Sequence, residues 1–206
     1  ESIAGVPEDV VLDGAGQGTV VFAKGADLDT SLFDLTITNG SAALDPDWDI
    51  ALAGGVGCFG YDVVQVSLST SANLTLGGLI IRENDAQLGG GLVTLGCELN
   101  ISDSVLQANT AYSHAGFYVG EGAVDFSNVD IRDQSSENGS AGGVLENWAD
   151  GGSVLVSTFQ DVRIEDNSSQ DPTDGYGFVV LDHDLTWTST GQGKSTFVGN
   201  SGGGEG

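Results

Sequence analysis

The chain has 206 residues, of which 33 are glycine, three are proline and none is methionine. Its 30 acidic residues outnumber five lysines and arginines, so the formal net charge at pH 7 is −25, which argues against nucleic acid and anionic membranes as partners. No apolar run is long enough to cross a bilayer, so direct membrane insertion is not predicted.

In chain order, the predicted elements divide the sequence into four stretches. Residues 1–40 are expected to form an N-terminal strand and a first coil, and residues 41–73 an irregular coil with a long loop. Residues 74–134 are expected to form regular coils of 25 residues. Residues 135–206 are expected to form two longer coils with an open C-terminal end. Together these stretches predict one domain.

The coils are recognised by a repeated phrase in which apolar residues stand ten, eight, five and three positions before an amide residue. Shifts of 25 and then 33 residues bring the amide position to Asn84, Asn109, Gln134, Asn167 and Asn200. The two-three-two spacing of the apolar residues predicts two short strands joined at a corner, and it lacks the apolar stripe of a helix. Stacking of such units predicts an all-β, right-handed parallel β-helix of about six coils.

Two residue types with fixed places in the repeat are interpreted as scaffold. The five amide positions form a predicted ladder, because stacked side-chain amides can satisfy backbone groups of bends buried between coils. Glycines such as Gly90, Gly116 and Gly142 precede another strand in successive coils. Glycine there permits a positive φ or the close passage of one chain segment by another.

A resemblance to a known family rests on these phrases. The succession Leu35-Thr36-Ile37-Thr38-Asn39-Gly40, followed by repeated Ile-x-x-Asn and by Gly89-Gly90-Gly91-Leu92, resembles secreted bacterial right-handed β-helix proteins. Phe197-Val198-Gly199-Asn200 and Gly142-Gly143-Val144-Leu145 are similar to the repeats of polymorphic outer-membrane proteins. The resemblance covers nearly the whole chain and implies a secreted or surface-displayed module that is adhesive or structural. No catalytic residues carry over, because the shared motifs specify a coil.

The two cysteines, Cys58 and Cys97, allow two interpretations. A low, even count is compatible with an oxidising exterior and one disulfide between coils. Two buried free thiols are the alternative, because sequence does not give the distance between them.

Asp45, Asp47 and Asp49 are the candidate metal ligands. Alternate carboxylates in a loop can converge on Ca²⁺, which takes six to eight oxygen ligands. The glycine that a calcium-binding loop would need is missing, so a solvated acidic turn is the other interpretation. No other cofactor is predicted.

Asp182, Asp184 and Arg82 are the candidate catalytic residues for a carbohydrate-active β-helix. Glycosidases use paired carboxylates, and lyases use a basic side chain that takes a proton. Strand parity places the two aspartates on one face and His183 on the other, which weakens this cluster as one site. His183 and His114 are interpreted as ordinary surface or loop residues.

The register assigns the other two arginines to the scaffold. Asp130 is predicted to lie beside Arg163, and Arg132 beside Glu165, in consecutive coils. Cross-strand ion pairs of this kind are surface features of modest energy.

We therefore expect an extracellular or cell-surface module that is structural or adhesive, non-catalytic and part of a larger rod or assembly. Its expected partners are other protein subunits or surface glycans, and end-to-end self-association is a further expectation. One alternative is a carbohydrate-active β-helix, either a lyase or glycoside hydrolase or a binding module, which exposure of Trp48, Trp148 or Trp187 beside carboxylates in a groove would favour. Another alternative is a self-assembling filament subunit.

Overall fold

The computed structural model describes residues 10–25, 27–42, 44–45, 50–62, 67–68, 72–147, 155–171, 176–181, 183–190 and 195–201. At 44–45, 61–62 and 67–68 only the backbone is described. Within these ranges the chain is all-β, with 25 strands and no helix that could span a membrane. Most of the strands belong to parallel sheets.

The strands, in chain order, are β1 (Val11–Asp13), β2 (Val21–Lys24), β3 (Asp29–Phe33), β4 (Thr36–Thr38), β5 (Leu44–Asp45), β6 (Ile50–Ala51), β7 (Val56–Phe59), β8 (Tyr61–Asp62), β9 (Ser67–Leu68), β10 (Ala72–Gly77), β11 (Ile80–Arg82), β12 (Asp85–Leu88), β13 (Leu92–Leu95), β14 (Cys97–Gln107), β15 (Thr110–Ser113), β16 (Phe117–Gly120), β17 (Val124–Arg132), β18 (Ser135–Asn138), β19 (Gly143–Glu146), β20 (Leu155–Gln160), β21 (Arg163–Glu165), β22 (Ser168–Ser169), β23 (Phe178–Leu181), β24 (His183–Thr188) and β25 (Thr196–Val198).

The parallel strands form four rows, in each of which a strand pairs with its counterpart one repeat away. An eleven-stranded sheet holds row 1, β3–β10–β14–β17–β20–β24, and row 2, β1–β4–β11–β14–β17–β21–β25. The long strands β14 and β17 belong to both rows. Row 3 is the four-stranded sheet β12–β15–β18–β22, and row 4 is the six-stranded sheet β2–β7–β13–β16–β19–β23. From β10 onward the chain passes through rows 1, 2, 3 and 4 and then returns to row 1.

The pairing follows the sequence period. In row 1, Leu74 pairs with Leu99 and Leu99 with Val124, two steps of 25 residues. In row 2, Ile131 pairs with Ile164, a step of 33 residues. The predicted neighbours in successive repeats are confirmed at these positions.

Two antiparallel hairpins account for the irregular stretch at residues 41–73. Strand β5 pairs with β6, and β8 pairs with β9. Ser41 and Leu52 flank the first hairpin and bridge to Asp85 and Leu88 of row 3, so this hairpin is an insertion in that row. The second hairpin lies between β7 of row 4 and β10 of row 1.

Single residues in the left-handed conformation turn the corners on both sides of row 2. Between rows 1 and 2 the corner residue is an aspartate in three repeats, for example Asp103 with a φ of 49°. Between rows 2 and 3 the corner residue directly precedes the amide position, as Ala108 does with a φ of 52°. Aspartate and asparagine tolerate this conformation better than other non-glycine residues. One such residue at each corner explains the three-residue gap in the two-three-two apolar spacing.

The amide positions form a hydrogen-bonded ladder beside the second corner. Asn109 Nδ2 donates to the carbonyl of Ile81 at 3.0 Å, and Asn109 Oδ1 accepts from the backbone N–H of Asn84 at 3.1 Å. The backbone N–H of Asn109 donates in turn to Gln134 Oε1 at 3.0 Å. Equivalent bonds link the remaining members, Asn167 and Asn200. Since Asn84, Asn109, Gln134 and Asn167 are fully buried, these bonds satisfy backbone groups that water does not reach.

The core lies between the inner faces of the rows and becomes aromatic in the later repeats. The rings of Phe126 and Phe159 stack with centroids 4.8 Å apart. Phe117 meets Phe126 edge-on at 5.3 Å, and Trp187 meets Phe159 edge-on at 5.5 Å. Gly143 lies beneath Phe117, where an added Cβ would come within 2.2 Å of the ring. Glycine at this position therefore makes room for the aromatic core.

In its middle strands β7, β13 and β16, row 4 is buried on both faces. Leu92 and Phe117 face the main core, whereas Val93 and Tyr118 belong to a second apolar cluster on the opposite face. Continuous apolar strands of this kind are typical of parallel sheets covered on both sides.

Cys58 of row 4 and Cys97 at the start of β14 are joined by a disulfide, with Cα atoms 6.3 Å apart. Both residues are fully buried, so the bridge crosses the core between row 4 and row 1.

Candidate functional site

The outer side of row 2 carries all three arginines of the chain. Because side chains alternate along a strand, Ile81, Ile131 and Ile164 point into the core while their neighbours point outward. We call the charged and amide residues at these outward positions the arginine face. Its members are Arg82, Gln107, Asp130, Arg132, Arg163 and Glu165.

The register of the arginine face agrees with the sequence prediction. Asp130 pairs with Arg163, and Arg132 pairs with Glu165, across β17 and β21. The Nη2 atom of Arg163 lies 3.2 Å from Asp130 Oδ2, so the first predicted ion pair is present.

Arg132 forms different contacts from those predicted. Its Nε lies 3.7 Å from Asp130 Oδ2, and its Nη2 donates to Gln107 Oε1 at 3.3 Å. Glu165 instead accepts a hydrogen bond from the Thr196 hydroxyl. The two predicted neighbours are adjacent, but their side chains are engaged elsewhere.

Asp130 is the most unusual ionisable group of this face. Its exposed fraction is only 4%, and its Oδ1 atom is buried without a hydrogen-bond partner. Burial raises the pKa of its carboxyl, although the nearby guanidinium groups of Arg163 and then Arg132 act to lower it. Glu165 and Asp133 raise the pKa further through charge repulsion. The result is a carboxyl group that holds its proton more strongly than an ordinary aspartate and is shielded by two cations.

Arg82 is the accessible cation of the arginine face. Its side chain is exposed, and in the described part of the chain it has no hydrogen bond or ion pair. It is separated from Arg132 by Gln107 in the row 2 register, which puts the two arginines two strand spacings, or about 10 Å, apart. Two guanidinium groups at this spacing can bind neighbouring acidic or hydroxyl groups of one extended ligand.

The structure does not unite the three candidate catalytic residues. Asp182 lies outside the described residues, and Asp184 is exposed on the outer side of β24, opposite Val156 in row 1. Arg82 belongs to row 2 of a much earlier repeat. The described members of this set therefore lie in different rows, several repeats apart.

His183 points inward from β24, although the sequence interpretation placed it at the surface. Its Nδ1 lies 3.2 Å from Oγ of Ser157, which is fully buried. The interpretation was wrong here because side chains alternate along a strand. Since Asp184 points outward, the preceding residue, His183, points into the core.

His114 lies in the loop between β15 and β16, in agreement with the sequence interpretation, and it is partly buried there. Its ring stacks on Tyr118 with centroids 5.5 Å apart, and its Nδ1 accepts from the backbone N–H of Ser140 at 3.3 Å. Burial lowers the pKa of His114, although the negative charge of Glu146 acts to raise it. The sequence contained an indication of this burial. The register places His114 between Gly89 and Gly139 of the neighbouring repeats, and glycine has no side chain, so the imidazole ring can pack over both.

The candidate calcium ligands cannot be assembled from the described residues. Asp47 and Asp49 lie outside them, and Asp45 belongs to β5, whose backbone alone is described. Among described residues, no group of three or more His, Cys, Asp or Glu is placed to hold a metal ion.

Of the three tryptophans, Trp48 and Trp148 lie outside the described residues. Trp187 is half-buried against Phe159 and Phe178, at 5.5 and 6.3 Å between ring centroids, and so packs as part of the core. Comparison with protein-family models, with curated proteins and with solved structures finds no match for this chain.

Proposed function

We propose that this chain is a structural or adhesive module of the extracellular space or cell surface, non-catalytic and part of a larger rod or assembly. Its strands are taken to be successive coils of a right-handed parallel β-helix. The fixed order in which the chain visits the four rows supports the coil, and right-handedness follows the general preference of parallel strand connections.

The amide ladder is the observation that carries this proposal. Each member binds backbone groups of a neighbouring repeat, so the ladder fixes the repeats relative to one another over its whole length. A stack that buries its polar bends in this way forms a stiff, elongated scaffold.

Two further observations support an extracellular place. The disulfide between Cys58 and Cys97 suits an oxidising compartment, where such bonds persist. A net charge of −25 keeps the molecule soluble and suits a medium of high ionic strength.

Surface labelling tests the proposed location. Lys24 is exposed on β2, so an amine-reactive biotin that does not cross membranes should label it on intact cells that produce the protein. Labelling only after lysis would contradict the proposal. The Lys24→Arg variant identifies how much of the signal comes from this residue.

The arginine face is the proposed adhesive surface for surface glycans. Arg82 is accessible, and Arg132 lies about 10 Å away in the same outward column. On an array of neutral, uronate-containing and sulfated glycans, the wild-type protein should bind at least one glycan. The Arg82→Gln variant should bind the same glycan at least several-fold more weakly. Lys24→Gln is the matched control, because it removes one exposed positive charge from a different row. Equal binding by Arg82→Gln and the wild type would exclude this face as the glycan site.

A further inference from the structure

Asp130 holds two guanidinium groups with a single oxygen atom. Its Oδ2 atom lies 3.2 Å from Arg163 Nη2 and 3.7 Å from Arg132 Nε. Its other oxygen, Oδ1, is buried and has no hydrogen-bond partner among the described residues. A buried carboxylate with one unsatisfied oxygen pays a desolvation cost that protonation removes. Uptake of one proton therefore acts on the group that holds both arginines.

The charged groups that face Asp130 come from its own strand and from β21. They are Arg132 and Asp133, which follow it along the chain, and Arg163 and Glu165 of β21. On the β14 side the nearest outward residues, Val105 and Gln107, carry no charge. Burial, the largest effect, raises the pKa of Asp130 above its ordinary value of 3.8, and the two guanidinium groups act to lower it. The two neighbouring carboxylates raise this pKa further.

Protonation of Asp130 changes the contacts of both arginines. Arg163 loses its ion pair, and the described residues offer it no second carboxylate. Arg132 keeps the hydrogen bond from its Nη2 to Gln107 Oε1 at 3.3 Å. Because Gln107 lies between Arg132 and Arg82 in one outward column, the released Arg132 stays two strand spacings from Arg82. The arginine face then holds three guanidinium groups and a single charged carboxylate.

We propose that Asp130 makes the arginine face responsive to acid: ionised Asp130 holds Arg132 and Arg163, and protonated Asp130 releases both to bind the sulfate groups of a glycan. The inference rests on the glycan-binding role proposed above for this face. A sulfated glycan is the fitting ligand, because sulfate esters keep their charge in acid whereas the carboxylates of uronates lose theirs. Guanidinium groups also match such oxyanions with two parallel hydrogen bonds.

The charge of the whole molecule acts in the same direction and has to be separated from the effect of Asp130. The net charge is −25 at pH 7 and vanishes near the isoelectric point of about 4.1. Repulsion of any polyanion therefore weakens as the pH falls. A variant that changes the net charge equally at another place separates the two effects.

Nuclear magnetic resonance of the isotope-labelled wild-type chain tests the release without any ligand. Between about pH 4 and 8, the carboxyl signal of Asp130 should titrate with a midpoint above 3.8. The side-chain Nε–H signals of Arg132 and Arg163 should shift with the same midpoint, and the signal of Arg82 should not. A midpoint at or below 3.8, or arginine signals that do not follow Asp130, would overturn the proposal.

Dextran sulfate binding tests the consequence of the release. Asp130→Asn replaces the carboxylate by a neutral group of the same shape, so this variant should bind several-fold more tightly than the wild type at about pH 7. Its affinity should also rise less than that of the wild type as the pH falls. Asp125→Asn is the matched control, because it removes one exposed carboxylate from the row 1 part of the same strand. It should bind like the wild type.

Two outcomes of the binding assay contradict different statements. Equal affinities of Asp130→Asn and Asp125→Asn at every pH would show that only the net charge matters, and would overturn the role of Asp130. Absence of dextran sulfate binding in all three proteins would contradict the proposed use of this face for sulfated glycans, while the magnetic resonance titration would still decide the release itself. Circular dichroism of each variant checks that the strands are retained.

Discussion

Replacing Asn109 by alanine removes one amide from the middle of the ladder. The carbonyl of Ile81 loses a donor, and the backbone N–H and side-chain amide of Asn84 lose their shared acceptor. A buried polar group left without a partner costs about 1–3 kcal/mol. The side-chain amide of Asn84 keeps its bond to the carbonyl of Ile37, so two groups lose these partners, and we expect that Asn109→Ala lowers the free energy of unfolding by about 2–6 kcal/mol. This loss is comparable to the whole stability of many domains, about 5–15 kcal/mol.

Urea unfolding followed by circular dichroism and tryptophan fluorescence measures this loss. Asn100→Ala is the matched control: it removes the same amide from the outer side of β14, and surface substitutions usually change stability by less than about 0.5 kcal/mol. Asn109→Gln should lose less than Asn109→Ala, because Gln134 shows that the longer amide fits the ladder. If Asn109→Ala costs no more than Asn100→Ala, the ladder bonds do not stabilise the stack.

Three further outcomes are expected. Phe117→Ala should lower the free energy of unfolding by about 3–5 kcal/mol, because it opens a cavity among stacked rings, whereas Phe22→Ala at a half-exposed position should cost clearly less in the same urea titration. Replacing Cys58 and Cys97 by serine should cost about 4 kcal/mol, since the bridge closes a 39-residue interval of the unfolded chain, and dithiothreitol should then have no effect on the variant. Burial of His114 lowers its pKa in the folded protein, so the free energy of unfolding should be highest above the ordinary histidine pKa of about 6.5 and should fall as the pH drops below that value. His114→Gln should flatten the dependence of the melting temperature on pH in this range. An unchanged slope would show that His114 does not cause the dependence.

The sequence predicted which residues are neighbours in successive repeats, because this follows from the number of residues in one repeat. In a parallel row, the residue one period away is the spatial neighbour, so the positions of Asp130 beside Arg163 and of Arg132 beside Glu165 followed from the spacing alone. The corner between rows was foreseen as a gap in the apolar pattern, because one residue in the left-handed conformation breaks the alternation of a strand.

Side-chain choices within that framework were not predictable. Arg132 has Asp130 two residues away and Glu165 one repeat away, and its contacts depend on rotamers and on the Thr196 hydroxyl that engages Glu165. The two hairpins of residues 41–73 were also missed as elements, since their strands follow no period and are only two residues long. Short antiparallel pairs of this size carry too little alternation to distinguish them from a loop.

The register between repeats also means that the chain can gain or lose one complete repeat and keep its strand pairing. Leu74, Leu99 and Val124 are interchangeable members of one column, and so are Ile81, Leu106 and Ile131. Loss or duplication of the 25-residue segment 85–109 would keep the rows in register, because its flanking positions occupy equivalent places in their repeats, but its loss would also remove Cys97 and with it the disulfide. Length in such a chain can change during evolution by unequal recombination between repeats, without a new core having to be built.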